Sequence, residues 1–273
     1  MKWNPATGLL SSPKRRIDMQ RYFVPSDQFD EKRVVITGED ARHIHKVMRM
    51  KPSDMIVCAN NKGDAYLCKI DLCEDGKVLA SICERLEGDP ELPIRVTIAQ
   101  GIPKADKFDT IVQKGTECGA AEFIPFQAER SVAIWKQDKK DKKRVRLEKI
   151  SKEAAEQSHR LCIPEVRDPM NVSQLIAFGE SFKNKMVAFE ETAKAGAQAG
   201  FPTLLNKMKE GDHLLAVIGP EGGLTSLEAE QLQEHGFILC GLGPRILRTE
   251  TAALYLLSAI SYHFELLHCE VDE

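Results

Sequence analysis

The sequence predicts an α/β protein with two domains, a small β-barrel followed by a larger domain built on a parallel sheet. The chain has 273 residues, of which 42% are hydrophobic. That is enough for a sizeable core and for roughly two domains. Short strands with tight turns come first, and strands that alternate with helices follow. Residues 88–93 separate the two patterns and read as a linker, because they contain two prolines and a glycine.

The first 18 residues show no hydrophobic periodicity, and we expect this N-terminal extension to lie outside the fold. Residues 19–89 are predicted to form the barrel, because short strands joined by tight turns are typical of that architecture. The turns contain Asn, Asp and Gly, which tolerate positive φ. The predicted strands cover 34–37, 55–59, 65–70 and 78–82, the turns 60–63 and 74–76, and one helix about 40–48.

Residues 90–273 are predicted to form the parallel-sheet domain, because apolar strands alternate there with helices that cover both faces of a sheet. Phe108, Ile111 and Val112, for example, recur at helical spacing. The predicted strands cover 94–99, 123–126, 186–189, 214–218 and 237–239. The predicted helices cover about 104–118, 142–159 and 251–267, with another helix after Thr225.

The composition disfavours several classes of protein. Charged residues make up 29% of the chain but the net charge is −3, so net charge alone gives no nucleic-acid signal. No apolar run approaches the ~20 residues of a membrane-spanning helix, and the first 18 residues lack the apolar stretch of a secretory signal. The eight cysteines form no C-x-x-C pair. We therefore predict a cytoplasmic protein with reduced cysteines, no membrane association and no metal site.

Two glycine-rich loops follow strands of the predicted parallel sheet. The first is 219–223, after which Thr225 and Glu228 have the spacing of a capping box that starts a helix. The second, 241–244, follows the next predicted strand. Neither has the spacing of a dinucleotide or P-loop site, which disfavours those ligands. The loops are either ordinary turns before helices or ligand loops that face one pocket at the strand ends.

Arg248 and Glu250 follow the second loop and would lie at the rim of such a pocket. The alternative for these two residues is a surface ion pair, which contributes little stability.

Clusters of basic residues indicate where an RNA could bind. Residues 136–149 contain eight Lys or Arg and three acidic residues, which is typical of either a solvated helix face or a phosphate contact. Arg42, Lys46 and Arg49 follow the i, i+4, i+7 spacing of one helix face. The aromatic candidates for stacking on an extruded base, or alternatively for packing, are Tyr22, Phe23 and Trp135.

Several motifs occur in one order along about residues 20–267. They are Arg21-Tyr22-Phe23, His45-Lys46-Val47-Met48-Arg49, Lys107-Phe108-Asp109, Lys114-Gly115-Thr116-Glu117-Cys118-Gly119, Glu129-Arg130-Ser131, Glu153-Ala154-Ala155-Glu156-Gln157-Ser158-His159-Arg160 and the two glycine loops. In this order the chain resembles the ribosomal RNA small-subunit methyltransferase E family. That family belongs to the SPOUT class and methylates N3 of a uridine in 16S rRNA. Cys118 is a departure, since leucine is expected there.

The resemblance implies a SPOUT methyltransferase domain at 90–273, with a deep trefoil knot, and a PUA-like RNA-binding barrel at 19–89. It also implies a homodimer whose active site is completed across the interface, and 16S rRNA or the 30S subunit as partner. S-adenosyl-L-methionine would bind in a bent shape among the knot loops. The cofactor-binding residues would be Ile218, Gly219, Pro220, Gly222, Gly223, Leu242, Gly243, Ile246, Leu247 and Thr251.

Methylation of uracil N3 requires loss of the imide proton and alignment of the anion with the methyl donor. We nominate Arg248 and Arg130 to stabilise the developing charge. Glu250 is a candidate base or orienting group. The expected RNA-binding residues are Arg21, Arg42, Lys46, Arg49, Gln157 and Arg160.

Two rival interpretations remain at this point. One is another SPOUT activity, on tRNA or on a ribose 2′-oxygen, and the other is a non-enzymatic RNA-binding factor of ribosome assembly.

Overall fold

The computed structural model describes residues 19–135, 137–189 and 200–267, so the predicted extension of residues 1–18 lies outside the described residues. The chain divides into two compact units. The first ends at Pro90 and also includes His159–Cys162, and the second contains the remainder. The predicted domains, residues 19–89 and 90–273, are consecutive segments. They therefore place His159–Cys162 in the second domain, whereas these residues belong to the first unit.

The first unit is built on a five-stranded sheet in the order β1-β3-β4-β5-β2. The pairings are antiparallel except for β1 with β3, which is parallel. Asn61, Gly63 and Gly76 have positive φ in the predicted turns. The strands are β1 Arg21–Phe23, β2 Arg33–Thr37, β3 Met55–Ala59, β4 Ala65–Glu74 and β5 Lys77–Arg85.

The helical segment of the first unit differs from the prediction. The α-helix α1 covers only Gly38–Arg42, and a π-helical turn at His43–Val47 follows it. Arg49 lies beyond this turn with φ +53°, a left-handed conformation. The prediction that an α-helix carries Arg42, Lys46 and Arg49 on one face is therefore wrong, because the wider π turn and the left-handed residue change their directions.

The second unit contains six parallel strands in the order β11-β9-β10-β6-β7-β8. The strands are β6 Arg95–Gly101, β7 Glu122–Phe126, β8 Glu165–Val166, β9 Asn184–Ala188, β10 His213–Ile218 and β11 Ile238–Cys240. The helices are α2 Lys107–Glu117, α3 Gln137–Gln157, α4 Val172–Gly179, α5 Gly200–Lys207, α6 Ser226–Glu234 and α7 Thr249–Ser261. A π-helical segment, Tyr262–Leu266, continues α7.

Both faces of the parallel sheet are covered, as predicted. Alternate residues of β10 show this: Leu214 and Ala216 join one buried cluster, and Leu215 and Val217 join the other. The period-2 alternation of a strand explains this distribution, because both faces are apolar. The fold prediction of an N-terminal β unit followed by a parallel α/β unit is confirmed.

Some sequence-based assignments need correction. The basic helix begins at Gln137 rather than near residue 142, and the last α-helix begins at Thr249 rather than Thr251. Strand β9 lies between β10 and β11, so the glycine loops do not follow adjacent strands. Strands β1 and β8 and helices α4 and α5 were not predicted. The trefoil knot stays a prediction.

Candidate active site

A cavity of about 530 Å³ opens within the second unit, at the carboxyl end of β10. Its volume falls in the range of about 300–1,000 Å³ that is usual for small-molecule sites. It lies where parallel α/β sheets bind ligands, beyond the carboxyl ends of strands. Its lining residues are Lys107, Arg130, Ala188, Phe189, Ile218, Gly219, Pro220, Glu221, Gly222, Gly223, Leu224, Ile246, Leu247, Arg248, Thr249 and Ala252.

The first glycine loop folds tightly on itself. The backbone N–H of Gly223 donates to the carbonyl oxygen of Pro220 at 2.9 Å, which closes a turn. Gly223 has φ +69°, and a Cβ on Gly219 would lie 3.2 Å from the carbonyl carbon of Gly223. Glycine is therefore favoured at Gly223 by its backbone conformation and at Gly219 by the close approach of the loop.

The end of β6 presses against the same loop. A Cβ on Gly101 would lie 2.2 Å from the backbone nitrogen of Pro220, a distance that no side chain tolerates. Gly101 thus allows two backbone segments to meet at the cavity wall. Sequence inspection missed this residue, although its place at the end of a buried strand was an available signal.

A buried hydrogen-bond chain connects this loop with the start of α7. The Thr249 hydroxyl donates to the Gly219 carbonyl oxygen at 2.6 Å. The Gln100 side-chain amide donates to the Thr249 hydroxyl at 2.7 Å and to the Gly101 carbonyl at 3.1 Å. Both side chains are buried. Neither residue was predicted, although a glutamine within an apolar strand was a signal of a specific polar role.

The predicted capping box at the start of α6 is confirmed. The Thr225 hydroxyl accepts from the Glu228 backbone N–H at 3.2 Å, and the Glu228 carboxylate accepts from the Thr225 backbone N–H at 2.9 Å. The same buried carboxylate also accepts from the backbone N–H of Glu129 at 2.8 Å. Glu228 therefore anchors the segment that carries Arg130.

Arg130 supports the glycine loop. Its guanidinium lies 3.3 Å from the carbonyl oxygens of Gly222 and Leu224, and it donates a hydrogen bond to each. A Cβ on Gly222 would lie 3.1 Å from the Arg130 Cβ. Arg130 thus lines the cavity as predicted, but its hydrogen bonds hold the loop.

Arg248 and Glu250 do not form the ion pair that was their alternative interpretation. Arg248 is exposed at the cavity in an extended conformation before α7. In the described part of the chain its guanidinium forms no ion pair. Glu250 instead lies 3.3 Å from the ammonium of Lys107. The loop residue Glu221 lies 3.1 Å from that ammonium.

The contacts around Lys107 shift the pKa values of Lys107 and Glu221. The Glu221 and Glu250 carboxylates raise the pKa of Lys107, and partial burial opposes this shift only in part. Partial burial acts to raise the pKa of Glu221, but hydrogen bonds from its own backbone N–H and from Lys107 outweigh that effect and lower it. Lys107 and Glu221 are therefore both charged at neutral pH.

Seven of the predicted cofactor residues line the cavity, namely Ile218, Gly219, Pro220, Gly222, Gly223, Ile246 and Leu247. Leu242, Gly243 and Thr251 do not. Leu242 packs against the core, Gly243 has φ +93°, and the Thr251 side chain is exposed on α7. Thr249, two residues before the predicted start of the last helix, lines the cavity where Thr251 was expected.

Two of the expected RNA-binding arginines, Arg21 and Arg160, are engaged within the protein. The Arg21 guanidinium donates to the carbonyl oxygens of His159 and Arg160, each at 2.9 Å, and burial lowers its pKa. The Arg160 side chain is 3% exposed, so the predicted RNA contact does not fit its position. Gln157 is exposed at the end of α3 and lines a different groove from Arg248.

Arg42, Lys46 and Arg49 are exposed, which keeps them available to phosphates. The Lys46 ammonium lies 2.8 Å from Asp75 in an exposed ion pair. Exposed pairs of this kind are weak, so Asp75 does not prevent a phosphate contact.

The basic helix α3 pairs several of its cations with neighbouring acids. Arg144 contacts Glu148 at 3.0 Å and Asp168 at 3.5 Å, and Lys140 contacts Asp168 at 3.4 Å. Arg146 pairs with Asp109. These partly exposed ion pairs are weak, so they leave both the solvated-face and the phosphate-contact interpretations of the basic run open.

The aromatic candidates for base stacking are engaged elsewhere. Tyr22 and Phe23 are buried in the first unit. Trp135 is half-buried and packs against Phe108 with ring centroids 5.9 Å apart. The packing alternative is therefore the one that the structure supports.

Within the described ranges, no group of three or more His, Cys, Asp or Glu side chains has a geometry that could hold a metal ion. The cysteines of these ranges are free thiols. None of the described helices combines the length and apolar character needed to span a bilayer.

Comparison with known families defines the class of protein first. The family described as "RNA methyltransferase domain" matches residues 90–261, and the one described as "RNA methyltransferase PUA domain" matches residues 36–83. The two matches fall on the parallel-sheet unit and the N-terminal sheet, respectively. The chain is thus an RNA methyltransferase with an N-terminal PUA domain.

Individual relatives narrow this class. Ribosomal RNA small subunit methyltransferase E of Bacillus subtilis (strain 168) is 48% identical over 252 residues, which cover 91% of this chain and 98% of that protein. The protein of the same name from Mycobacterium bovis is 32% identical over 83% of this chain and 85% of its own. The chain belongs to the ribosomal RNA small subunit methyltransferase E family, and the predicted family is confirmed.

Solved structures agree with this assignment. A ribosomal RNA small subunit methyltransferase E from Neisseria gonorrhoeae, bound to S-adenosyl methionine, is 27% identical, with a TM-score of 0.77 over 89% of this chain and 97% of that one. A methyltransferase structure from Legionella pneumophila with bound S-adenosylmethionine is 28% identical, with a TM-score of 0.75 over 89% of this chain and 97% of that one.

Proposed function

We propose that this protein transfers a methyl group from S-adenosylmethionine to N3 of a uridine in 16S rRNA. The observation that carries the proposal is a cavity formed by a glycine loop, with the exposed guanidinium of Arg248 at its side. Family membership supports rRNA of the small subunit as substrate. Two related structures contain S-adenosylmethionine, which supports that cofactor.

The cavity fits a ligand that is part apolar and part polar. Ile218, Leu247 and Ala252 supply an apolar wall. The loop of Gly219, Gly222 and Gly223 supplies a wall without side chains, so that backbone groups can approach a ligand. The loop lacks P-loop spacing, which suits a nucleoside without a triphosphate. When bound, S-adenosylmethionine supplies an electrophilic methyl group on its sulfonium.

Arg248 is the residue best placed to act on the uracil. Loss of the N3 proton leaves negative charge on the uracil oxygens, and an arginine aimed at that charge stabilises it. Its guanidinium forms no ion pair in the described part of the chain, so a substrate need not displace a partner. Catalysis by Arg248 is part of the proposal.

We assign Arg130 and Glu250 different roles. Arg130 donates to two loop carbonyls and therefore acts as a positioning residue for the loop. Glu250 lies 3.3 Å from the Lys107 ammonium, and this ion pair fixes the position of its carboxylate. We therefore assign Glu250 an orienting role rather than that of the base.

Other parts of the proposal concern the RNA and the assembly. Arg42, Lys46 and Arg49 contact RNA phosphates, and Gln157 contacts the RNA through its amide. The protein acts as a cytoplasmic homodimer whose active site is completed by its second copy, and its last strands and helix form a trefoil knot. The exposed Tyr255, Tyr262 and Leu266 support an interface on the last helix.

The decisive experiment incubates the protein and methyl-labelled S-adenosylmethionine with 30S subunits, naked 16S rRNA and tRNA, and then maps the modified nucleotide. We expect label at N3 of one uridine in 16S rRNA. Label in tRNA or on a ribose 2′-oxygen would replace the proposal with a different methyltransferase activity. Cofactor binding without any methyl transfer would favour a non-enzymatic assembly factor.

A further inference from the structure

Three segments of the second unit meet at one ammonium group beside the cavity. Lys107 lies in the first turn of α2, Glu221 in the glycine loop and Glu250 in the first turn of α7. The Lys107 Nζ is 3.1 Å from a Glu221 carboxylate oxygen and 3.3 Å from one of Glu250. One cation thus connects two walls of the cavity that are distant in sequence.

The chain before α2 strengthens this connection. The backbone N–H of Lys104 donates to the same Glu221 carboxylate at 3.2 Å. The turn between Lys104 and the start of α2 includes Ala105 with φ +54°, a left-handed conformation that is unfavourable for a residue with a Cβ. Such strain persists where surrounding contacts determine the backbone.

The charges of these side chains explain why the Lys107 ammonium stabilises the contact between the glycine loop and the start of α7. The three side chains carry one positive and two negative charges, and each is partly shielded from solvent. Without Lys107, the carboxylates of Glu221 in the glycine loop and Glu250 at the start of α7 would lie near each other with no cation between them. Like charges in such a position repel, and the repulsion would push the glycine loop away from the start of α7.

We propose that Lys107 is a positioning residue that holds the glycine loop against the start of α7 and so keeps the cofactor cavity in its binding form. The identity of the cofactor in this inference rests on the proposed function. Lys107 acts through Glu221 and Glu250. It therefore contributes to cofactor affinity and leaves the rate of methyl transfer from the bound state nearly unchanged.

The matched variants are Lys107→Met and Lys114→Met. Lys114 lies on the same helix, pairs with Glu117 at 2.8 Å and lines a different groove. Each variant therefore removes one lysine and one local ion-pair system from α2. Lys107→Arg retains the charge, and Lys107→Met with Glu221→Gln removes the repulsion that the single variant creates.

The first measurement is amide hydrogen exchange of residues 219–224 without cofactor. We expect faster exchange in Lys107→Met, and exchange close to wild type in Lys114→Met and Lys107→Arg. The second is the Kd for S-adenosylmethionine by calorimetry, which should rise about 3- to 30-fold in Lys107→Met, as expected for loss of up to two partly exposed ion pairs. Adding Glu221→Gln should restore part of the affinity.

Two results would overturn the inference. One is exchange and cofactor Kd in Lys107→Met that match Lys114→Met. The other is a loss of kcat with unchanged KM for the cofactor, which would place Lys107 in the transition state rather than in the cavity wall. Failure of the proposed uridine target is a separate result, because hydrogen exchange and cofactor binding require no RNA.

Discussion

The hydroxyl of Thr249 donates a hydrogen bond to the carbonyl oxygen of Gly219 at 2.6 Å, and this bond joins the first residue of the last helix to the glycine loop. The Gln100 amide completes the chain by donating to the same hydroxyl. All of these groups belong to the second unit. A buried chain of this kind orders its members, since each unpaired polar group would be costly.

Thr249→Val removes the hydroxyl and keeps the shape of the side chain. The Gly219 carbonyl and the Gln100 amide each lose a partner, and the free energy of unfolding should fall by about 1–3 kcal/mol. Urea denaturation measures this change, and calorimetry should show weaker S-adenosylmethionine binding. Thr249→Ser keeps the hydroxyl and is the control. Equal stability and affinity in Thr249→Val and wild type would contradict the role of this bond.

Gly101→Ala tests the close approach of β6 to the glycine loop. The new Cβ would lie 2.2 Å from the Pro220 backbone nitrogen, so the backbones must separate. We expect a loss of stability of about 1–3 kcal/mol, as for other overpacked sites, and a large loss of cofactor affinity.

The control for Gly101→Ala is Gly63→Ala, in a turn of the first unit. Gly63 has φ +97° and open space around its Cβ position. The free energy of unfolding of the Gly63→Ala variant should fall by on the order of 1 kcal/mol through backbone strain, and its cofactor affinity should be unchanged. If Gly101→Ala also keeps wild-type affinity, the two backbones are not as close as the structure shows.

The variants Arg248→Ala and Arg130→Ala should distinguish a catalytic role from a role in positioning the glycine loop. Arg248→Ala should keep the fold and the cofactor Kd but lower kcat by about 10²–10³, as for removal of one charge-stabilising donor. Arg130→Ala should instead raise the cofactor Kd, because its guanidinium holds the carbonyls of Gly222 and Leu224. Single-turnover methylation and calorimetry measure the two quantities. Unchanged turnover in Arg248→Ala would remove that residue from the mechanism.

The pH dependence of stability should depend in part on His213. Burial lowers its pKa, the positive charge of Arg95 adds to this shift, and Glu122 opposes it. Its Nε2 lies 3.0 Å from the Thr97 hydroxyl, and its ring packs against Phe182. Because protonation then favours the unfolded chain, stability should be greatest above the ordinary histidine pKa of about 6.5 and should fall as pH decreases toward the folded-state pKa.

The measurement is urea unfolding of wild type and His213→Gln between about pH 7.5 and pH 5.5. The glutamine amide can still form a hydrogen bond with the Thr97 hydroxyl, so the variant removes the titration and keeps a polar partner there. Its stability should decrease less steeply at low pH. The slope should not vanish, since burial and Arg21 also lower the pKa of His159. Parallel curves for the two proteins would show that His213 does not contribute.

Local features of the sequence predicted much of the fold. The alternation of apolar residues predicted strand β10, and the Thr225–Glu228 spacing predicted the cap of α6, because both patterns involve neighbouring residues. The glycine loop 219–223 was predicted as a loop at a strand end for the same reason, whereas its role as a ligand loop was implied by the family resemblance. The π turn at His43–Val47 was missed, because its residues also have the spacing of an ordinary helix.

The sequence by itself determined most of the strands, the glycine loops, the family motifs, and the placement of Arg130 and Arg248 in the active site. Only the tertiary structure decided that β9 separates β10 from β11, and that Gln100 reaches Thr249 across 149 residues of chain. It also decided that Lys107, rather than Arg248, pairs with Glu250. The reason is physical: backbone propensities act over a few residues, whereas contacts at a cavity depend on the order in which the whole sheet assembles.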